Sequence, residues 1–224
     1  MTRPEATTRP RAGIDPVTVL TRLLFVVAFT VLVVRGVWYL SSAGEPSHLI
    51  SGLLAVGYLV WLSVEIPVTF RKPAQPAAEI RTLAVYACAR LTLVVVAMVP
   101  AAPWSRFSWW MIPPIVLFVA GIALRLTAIR ALGALYTHHV LRRDRHPIVT
   151  GGPYRLVRHP AYAGMLLANL GFVLYFLSPV SVLALLALLG GLIWRIRTEE
   201  RVLWSAPGYP EFATGRARLV PGVW

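Results

Sequence analysis

Residues 161–196 read AYAGMLLANLGFVLYFLSPVSVLALLALLGGLIWRI. Two apolar runs, about Ala161–Leu177 and Val180–Ile196, flank the pair Ser178-Pro179. Proline cannot continue a helix and disfavours the helical region in the residue before it, so this pair marks the tip of a tight helical hairpin. Each arm is short against the roughly 20 residues a full crossing needs, so the arms start deeper in the bilayer or thin it locally. Upstream lie four longer runs, about Val17–Leu40, Leu49–Phe70, Leu83–Ala101 and Trp109–Ile129. The expected fold is all-α: a polytopic integral membrane protein of about six helices. Its last two helices form the hairpin, and a cytoplasmic C-terminal segment follows.

Composition supports this reading. The 224 residues are 57% hydrophobic and only 14% charged, yet 22 Lys+Arg against 9 Asp+Glu leave a net charge of +13. Such a chain is too apolar for a soluble nucleic-acid binder, and no nucleic-acid partner is expected. A bilayer reconciles the two facts, because basic residues collect on one face of it. Arg3, Arg9 and Arg11 precede the first run, and Arg71, Lys72 and Arg81 separate the second and third. Arg142, Arg143, Arg145, Arg155 and Arg158 fill the long fourth connection, and Arg195, Arg197, Arg201, Arg216 and Arg218 close the chain. The alternate loops hold only Glu45, His48 and Arg106, with Arg35 near a helix end. The positive-inside rule then puts both termini and both basic loops in the cytoplasm of a multi-pass cell-membrane protein. The first run is too long for a signal-peptide core despite Ser41-Ser42-Ala43 after it, so it reads as a retained helix. One cysteine, Cys88, allows no internal disulfide and no zinc site of several thiolates.

Glu65, Arg90 and Arg125 fall inside spans, where each charge needs a partner or a wet cavity. The topology sets all three in the inner-leaflet half at similar depth. They read either as snorkelling arginines with one compensating ion pair or as the polar wall of a cavity open to the cytoplasm.

The chemistry concentrates in GGPYRLVRHPAYAG, residues 151–164. Gly-Gly-Pro is turn chemistry, and His159-Pro160 opens the fifth helix with proline where a missing N–H costs nothing. A cytoplasmic helix N-terminus suits an anion. Arg155 and Arg158 flank it, and Tyr154 and Tyr162 offer aromatic faces. An antiparallel hairpin brings Glu199-Glu200, at the far end of the sixth helix, back beside His159. Simpler roles are also open: His159 as a helix cap, the two glutamates as balance for Arg195, Arg197 and Arg201, and Gly190-Gly191 as a packing face. Trp38, Trp104, Trp109 and Trp110 read as interface anchors. His138-His139 suggests metal, but neighbouring histidines do not share a helix face and no third ligand is apparent, so no metal is expected.

The pattern G-P-Y-R-x-V-R-H-P-x-Y-x-G, followed by a hairpin and E-E-x-x-L, resembles the isoprenylcysteine carboxyl methyltransferase family, with membrane phospholipid methyltransferases sharing a related pattern. Gly152–Gly164, Glu199–Leu203, Gly208-Tyr209 and Arg218–Pro221 carry the likeness, and Phe212 and the Ala206-Pro207 interruption depart from it. The resemblance implies transfer of a methyl group from S-adenosyl-L-methionine to a lipophilic small-molecule or prenylated acceptor among the membrane lipids. It implies cofactor binding by Tyr154, His159, Pro160, Tyr162, Gly164, Glu199 and Glu200. Arg158 and Arg195 would clamp a carboxylate acceptor, as Arg125 also could, and Glu65 would serve as base for an amine acceptor. The chain then divides into a disordered cytoplasmic tail (1–16), four transmembrane helices (17–130) and a catalytic region (131–224) of cytoplasmic connector, hairpin and C-terminal cap. Two alternatives remain open: a phospholipid or small-lipophile methyltransferase, and a nicotinamide-dependent membrane reductase of related architecture. Neither the acceptor nor an oligomeric state follows from the sequence.

Overall fold

The computed structural model describes residues 16–42, 44–69, 80–133 and 148–224. Its helices are α1 (Pro16–Ser41), α2 (Pro46–Thr69), α3 (Ile80–Met98), α4 (Ile112–Leu132), α5 (Pro160–Tyr175), α6 (Pro179–Leu203) and the short α7 (Tyr209–Ala213). Among the described residues there is no strand, only an isolated parallel bridge between Val157 and Ala217. Five helices are long and apolar enough to cross a membrane, namely α1 to α4 and α6. Helix α5 has 16 residues, about 24 Å at 1.5 Å per residue, and falls short of a 30 Å hydrocarbon core. The expected tail and most of the connector, with Arg142, Arg143, Arg145 and His138-His139, lie outside the described residues.

Each boundary has a local cause. Ser178 caps α6: its Oγ accepts from the Ser181 amide at 3.2 Å, while the Ser178 amide donates to Ser181 Oγ at 3.0 Å. Pro179 follows at the first helical position, where no N–H is needed. Helix α6 does not stop near Ile196 as expected but runs to Leu203. Glu199 and Glu200 are therefore helical residues on adjoining faces, and only one of them turns fully inward.

The hairpin differs from expectation in a second way. Its arms pack chiefly on other helices, α5 on α4 and α6 on α3, while α1 packs on α2 and α3. Glycine on the α4–α5 face causes this. A Cβ at Gly164 would lie 2.5 Å from the Arg125 backbone nitrogen and 2.7 Å from the Gly121 carbonyl oxygen. Gly121 and Gly171 make comparably close approaches to the facing backbone. The expected packing role of Gly190-Gly191 is correspondingly small: a Cβ at Gly190 meets nothing within 4 Å, and at Gly191 it makes ordinary contact 3.5 Å from Val85. Replacing Gly164 by Ala should force α4 and α5 apart and lower stability by about 1–3 kcal/mol, the usual cost of overpacking. Thermal unfolding in detergent would register this as a fall in Tm, and an unchanged Tm would refute the close-packing account.

The helices share two ends. At one, the Tyr39 hydroxyl accepts from the Ala102 amide at 2.8 Å and Trp104 Nε1 donates to the Tyr175 carbonyl at 2.8 Å. Trp104 is thus built into the fold, whereas Trp109 and Trp110 are 75% and 78% exposed, as interface anchors would be. The polar motif residues lie together at the other end.

Candidate functional site

Two polar clusters are assembled at the second end. The inner one centres on Glu65 of α2, buried together with Arg90 of α3 and Arg125 of α4. Arg90 Nη1 donates to Glu65 Oε2 at 2.6 Å, and Arg125 Nη2 donates to the same oxygen at 3.1 Å. Glu65 Oε1 accepts from Arg125 Nε and, at 2.6 Å, from Trp61 Nε1. A carboxylate has about four lone-pair positions, and four donors occupy these. Arg125 Nη1 continues to the Ala161 carbonyl at 3.1 Å, tying the ion network to the first turn of α5. The three intramembrane charges, for which the sequence left open snorkelling arginines with one ion pair or a cavity wall, are joined in one ion network.

The outer cluster gathers the motif residues. Glu200 of α6 is buried, its Oε1 accepting from Arg158 Nη1 at 3.1 Å and lying 3.3 Å from His159 Nε2. The Tyr209 hydroxyl reaches the same oxygen at 3.5 Å, and Arg218 Nε donates to Oε2 at 2.7 Å. Burial, with the Glu200 charge beside it, pushes the Tyr209 phenol above its ordinary pKa, so it stays a neutral donor. Backbone bonds accompany these contacts: the Arg158 amide donates to the Ala217 carbonyl at 2.9 Å and the His159 amide to the Arg218 carbonyl at 3.0 Å. Arg158 Nε also donates to the Arg216 carbonyl at 2.8 Å. Glu200 therefore fastens the C-terminal segment to the turn before α5.

Glu199, its neighbour, has a different environment. It accepts from the Tyr162 hydroxyl at 2.9 Å, lies 3.9 Å from Arg195 Nε, and keeps 23% of its side chain exposed. Arg195 is buried, with Nη1 donating to Thr82 Oγ1 at 2.9 Å and Nε to the Tyr162 hydroxyl at 3.4 Å. The Tyr162 ring stands 5.8 Å from the His159 ring and 6.0 Å, edge-on, from the Tyr86 ring.

His159 sits at the N-cap of α5 but makes no side-chain cap hydrogen bond; its imidazole turns to Glu200. Pro160 occupies the first turn, and Gly164 lies at the α4–α5 crossing beside Arg125. Tyr154 is buried in a separate apolar cluster with Ala128, Ala161, Tyr209, Phe212 and Ala213. The sequence-selected residues Arg158, His159, Tyr162, Arg195, Glu199 and Glu200 converge, with Pro160 at the helix start, while Tyr154, Gly164 and Glu65 flank the group. Sequence reasoning passed over Thr82, Tyr209 and Arg218 as site members. Tyr209 and Arg218 stand in the motif-like C-terminal residues, so a signal for them existed; Thr82 had none.

The fold and this polar end define a class, a multi-pass helical membrane protein with its charged residues clustered where α5 begins and α6 ends. The family model for isoprenylcysteine carboxyl methyltransferases matches residues 114–205, from α4 through α6 and just beyond. Through that region the chain is similar to the isoprenylcysteine carboxyl methyltransferase family. It is 31% identical over 120 residues to protein-S-isoprenylcysteine O-methyltransferase B of Arabidopsis thaliana, covering 51% of this chain and 59% of the relative. It is 32% identical over 131 residues to form A of the same plant enzyme, covering 54% and 64%. A bacterial relative, the cobalt-zinc-cadmium resistance protein CzcN of Cupriavidus metallidurans, is 37% identical over 123 residues, 54% of each chain. The chain spans less than two thirds of the length of each of these relatives.

Proposed function

We propose that this protein transfers a methyl group from S-adenosylmethionine to a lipophilic acceptor at the cytoplasmic leaflet of the cell membrane. The acceptor chemistry is closest to carboxyl O-methylation of an isoprenylcysteine-type substrate. The observation that carries the reading is the pairing of a part-exposed Glu199 with Tyr162 and Arg195, the Tyr162 ring standing beside His159, inside the region that matches the family. Both termini and the arginine-rich end face the cytoplasm in this reading, since the positive-inside rule favours that orientation.

The residues fit such a donor. S-adenosylmethionine supplies a methyl group on a sulfonium, with a carboxylate, an ammonium and a ribose diol for recognition. Glu199 suits the ammonium or diol because part of its carboxylate is open, whereas Glu200 is spoken for by Arg158, His159, Arg218 and Tyr209. Tyr162 and His159 present rings that favour a cation. The start of α5, where Pro160 sets the backbone and Ala161 carries the first N–H, favours a carboxylate. A direct displacement needs alignment and exclusion of water more than acid–base groups. Arg158 and Arg195 provide the cationic clamp for an acceptor oxyanion. Glu65, Gly164 and Tyr154 act at one remove: Glu65 holds Arg125 against the α5 start, Gly164 lets α5 approach it, and Tyr154 seats the turn.

Calorimetry on the full chain in lipid nanodiscs tests the donor. Saturable binding of S-adenosylmethionine is expected, and binding of a nicotinamide cofactor in its place would overturn the reading. Labelled methyl transfer into a lipid extract, with mass identification of the product, reads the acceptor. Glu199→Gln should weaken donor binding about tenfold or more, the value of one charge-assisted hydrogen bond, with little change in Tm. Unaltered binding would remove Glu199 from the donor site.

A further inference from the structure

We propose that Tyr86 and Arg90 of α3 form a buried oxyanion site that receives the carboxylate or phosphate of a single-chain amphiphile, and so select the acceptor. This rests on the methyl-transfer reading for its role but not for its existence.

Arg90 is held from several sides. Its Nη1 donates to Glu65 Oε2, its Nε donates to the Tyr58 hydroxyl at 3.3 Å, and its guanidinium lies 4.2 Å over the Trp61 ring. Tyr58 is oriented in turn by donating to Asn169 Oδ1 of α5 at 2.9 Å. What remains is Nη2, buried and without a hydrogen-bond partner among the described residues. One turn earlier on the same face of α3, the Tyr86 hydroxyl is also buried and also lacks a partner among the described residues. Unsatisfied buried donors are costly, and a guanidinium N–H in an apolar interior more so. Two such donors one turn apart, one of them cationic, match an oxyanion, which accepts from both. The Glu65 carboxylate does not satisfy Arg90 alone, because Arg125 shares it.

Position assigns the site its role. Tyr86 stands edge-on to Tyr162, whose hydroxyl bonds Glu199 in the proposed donor site. An oxyanion held at Tyr86 and Arg90 therefore lies on the α3 side of the donor site, where Tyr86 belongs to the apolar core and Leu83 and Ala87 pack against it. Helix α3 is outside residues 114–205, the family-matched region. Selection by α3 lets a donor half that lies within the family-matched region serve acceptors particular to this chain.

The test uses the full chain in phosphatidylcholine nanodiscs and three probes: N-dodecanoylglycine, its uncharged amide, and dodecyl phosphate. Labelled N-dodecanoylglycine is displaced by each. The parent protein should prefer the carboxylate or the phosphate over the amide by about tenfold or more, as expected for a charge-assisted contact. Tyr86→Phe removes an unpartnered hydroxyl, so the protein should fold normally and lose part of that preference, about threefold. Arg90→Lys keeps a cation for Glu65 but removes the Nη2 donor, and should abolish most of the preference. Equal binding of acid and amide by the parent, or an undiminished preference in both variants, overturns the site. Displacement by inorganic phosphate as effective as by dodecyl phosphate overturns the amphiphile in favour of a free anion. Calorimetry separates the two readings. Binding of S-adenosylmethionine without oxyanion preference refutes the α3 site alone, and oxyanion preference without donor binding refutes methyl transfer alone.

Discussion

Glu65→Gln is expected to lower the stability of the folded protein by about 3–5 kcal/mol, the cost of leaving buried charge without its partner. The carboxylate accepts from Trp61, Arg90 and Arg125, so its loss strands two guanidiniums in the bundle at once. Arg125 also holds the Ala161 carbonyl, so the disturbance should reach the start of α5. The expected result is a sharply reduced yield and Tm in detergent. A triple replacement of Glu65, Arg90 and Arg125 by apolar residues should recover much of the Tm, because removing a whole buried ion network is often near neutral. If Glu65→Gln keeps the parent Tm yet stops methyl transfer, the carboxylate acts on substrate rather than holding the helices.

Glu200→Gln should release the C-terminal segment. Charge-assisted bonds to Arg158 and Arg218 weaken, and the neutral amide gives His159 and Tyr209 a poorer acceptor. At about 1.5–3 kcal/mol for such contacts, binding of the proposed donor, S-adenosylmethionine, should fall roughly ten- to a hundredfold. Hydrogen exchange gives an independent readout, since the Arg158 and His159 amides donate to the carbonyls of Ala217 and Arg218. Their protection should drop while that of α4 holds. Loss of binding with full protection at these amides would instead make Glu200 a direct ligand of the donor.

These two glutamates show where reading the sequence stopped. An E-E pair after an apolar run reads as two equivalent acids. In three dimensions α6 extends to Leu203, and adjacent helical positions diverge by about 100°, so Glu200 points into the bundle while Glu199 keeps an open edge. Tyr154 stands in the same motif, and only the structure shows that it packs among Ala128, Ala161, Tyr209, Phe212 and Ala213. Glu65, Arg90 and Arg125 were selected by their cost in lipid, which is local information. That one carboxylate serves both arginines depends on how α2, α3 and α4 meet.

The sequence by itself determined the membrane class, the helix count to within the short α5, the hairpin tip at Ser178-Pro179 and the arginine-rich end that argues for orientation. Each rests on hydropathy, proline stereochemistry or charge, which act over one turn or one span. It also carried the motif around His159 by which the chain resembles that family. Only the tertiary structure decided that α5 packs on α4 through Gly121, Gly164 and Gly171, that Glu200 clasps the C-terminal segment, and that Tyr86 and Arg90 have donors unpartnered among the described residues. Those outcomes depend on which helix faces approach within a hydrogen bond or a missing Cβ, distances that no single segment encodes.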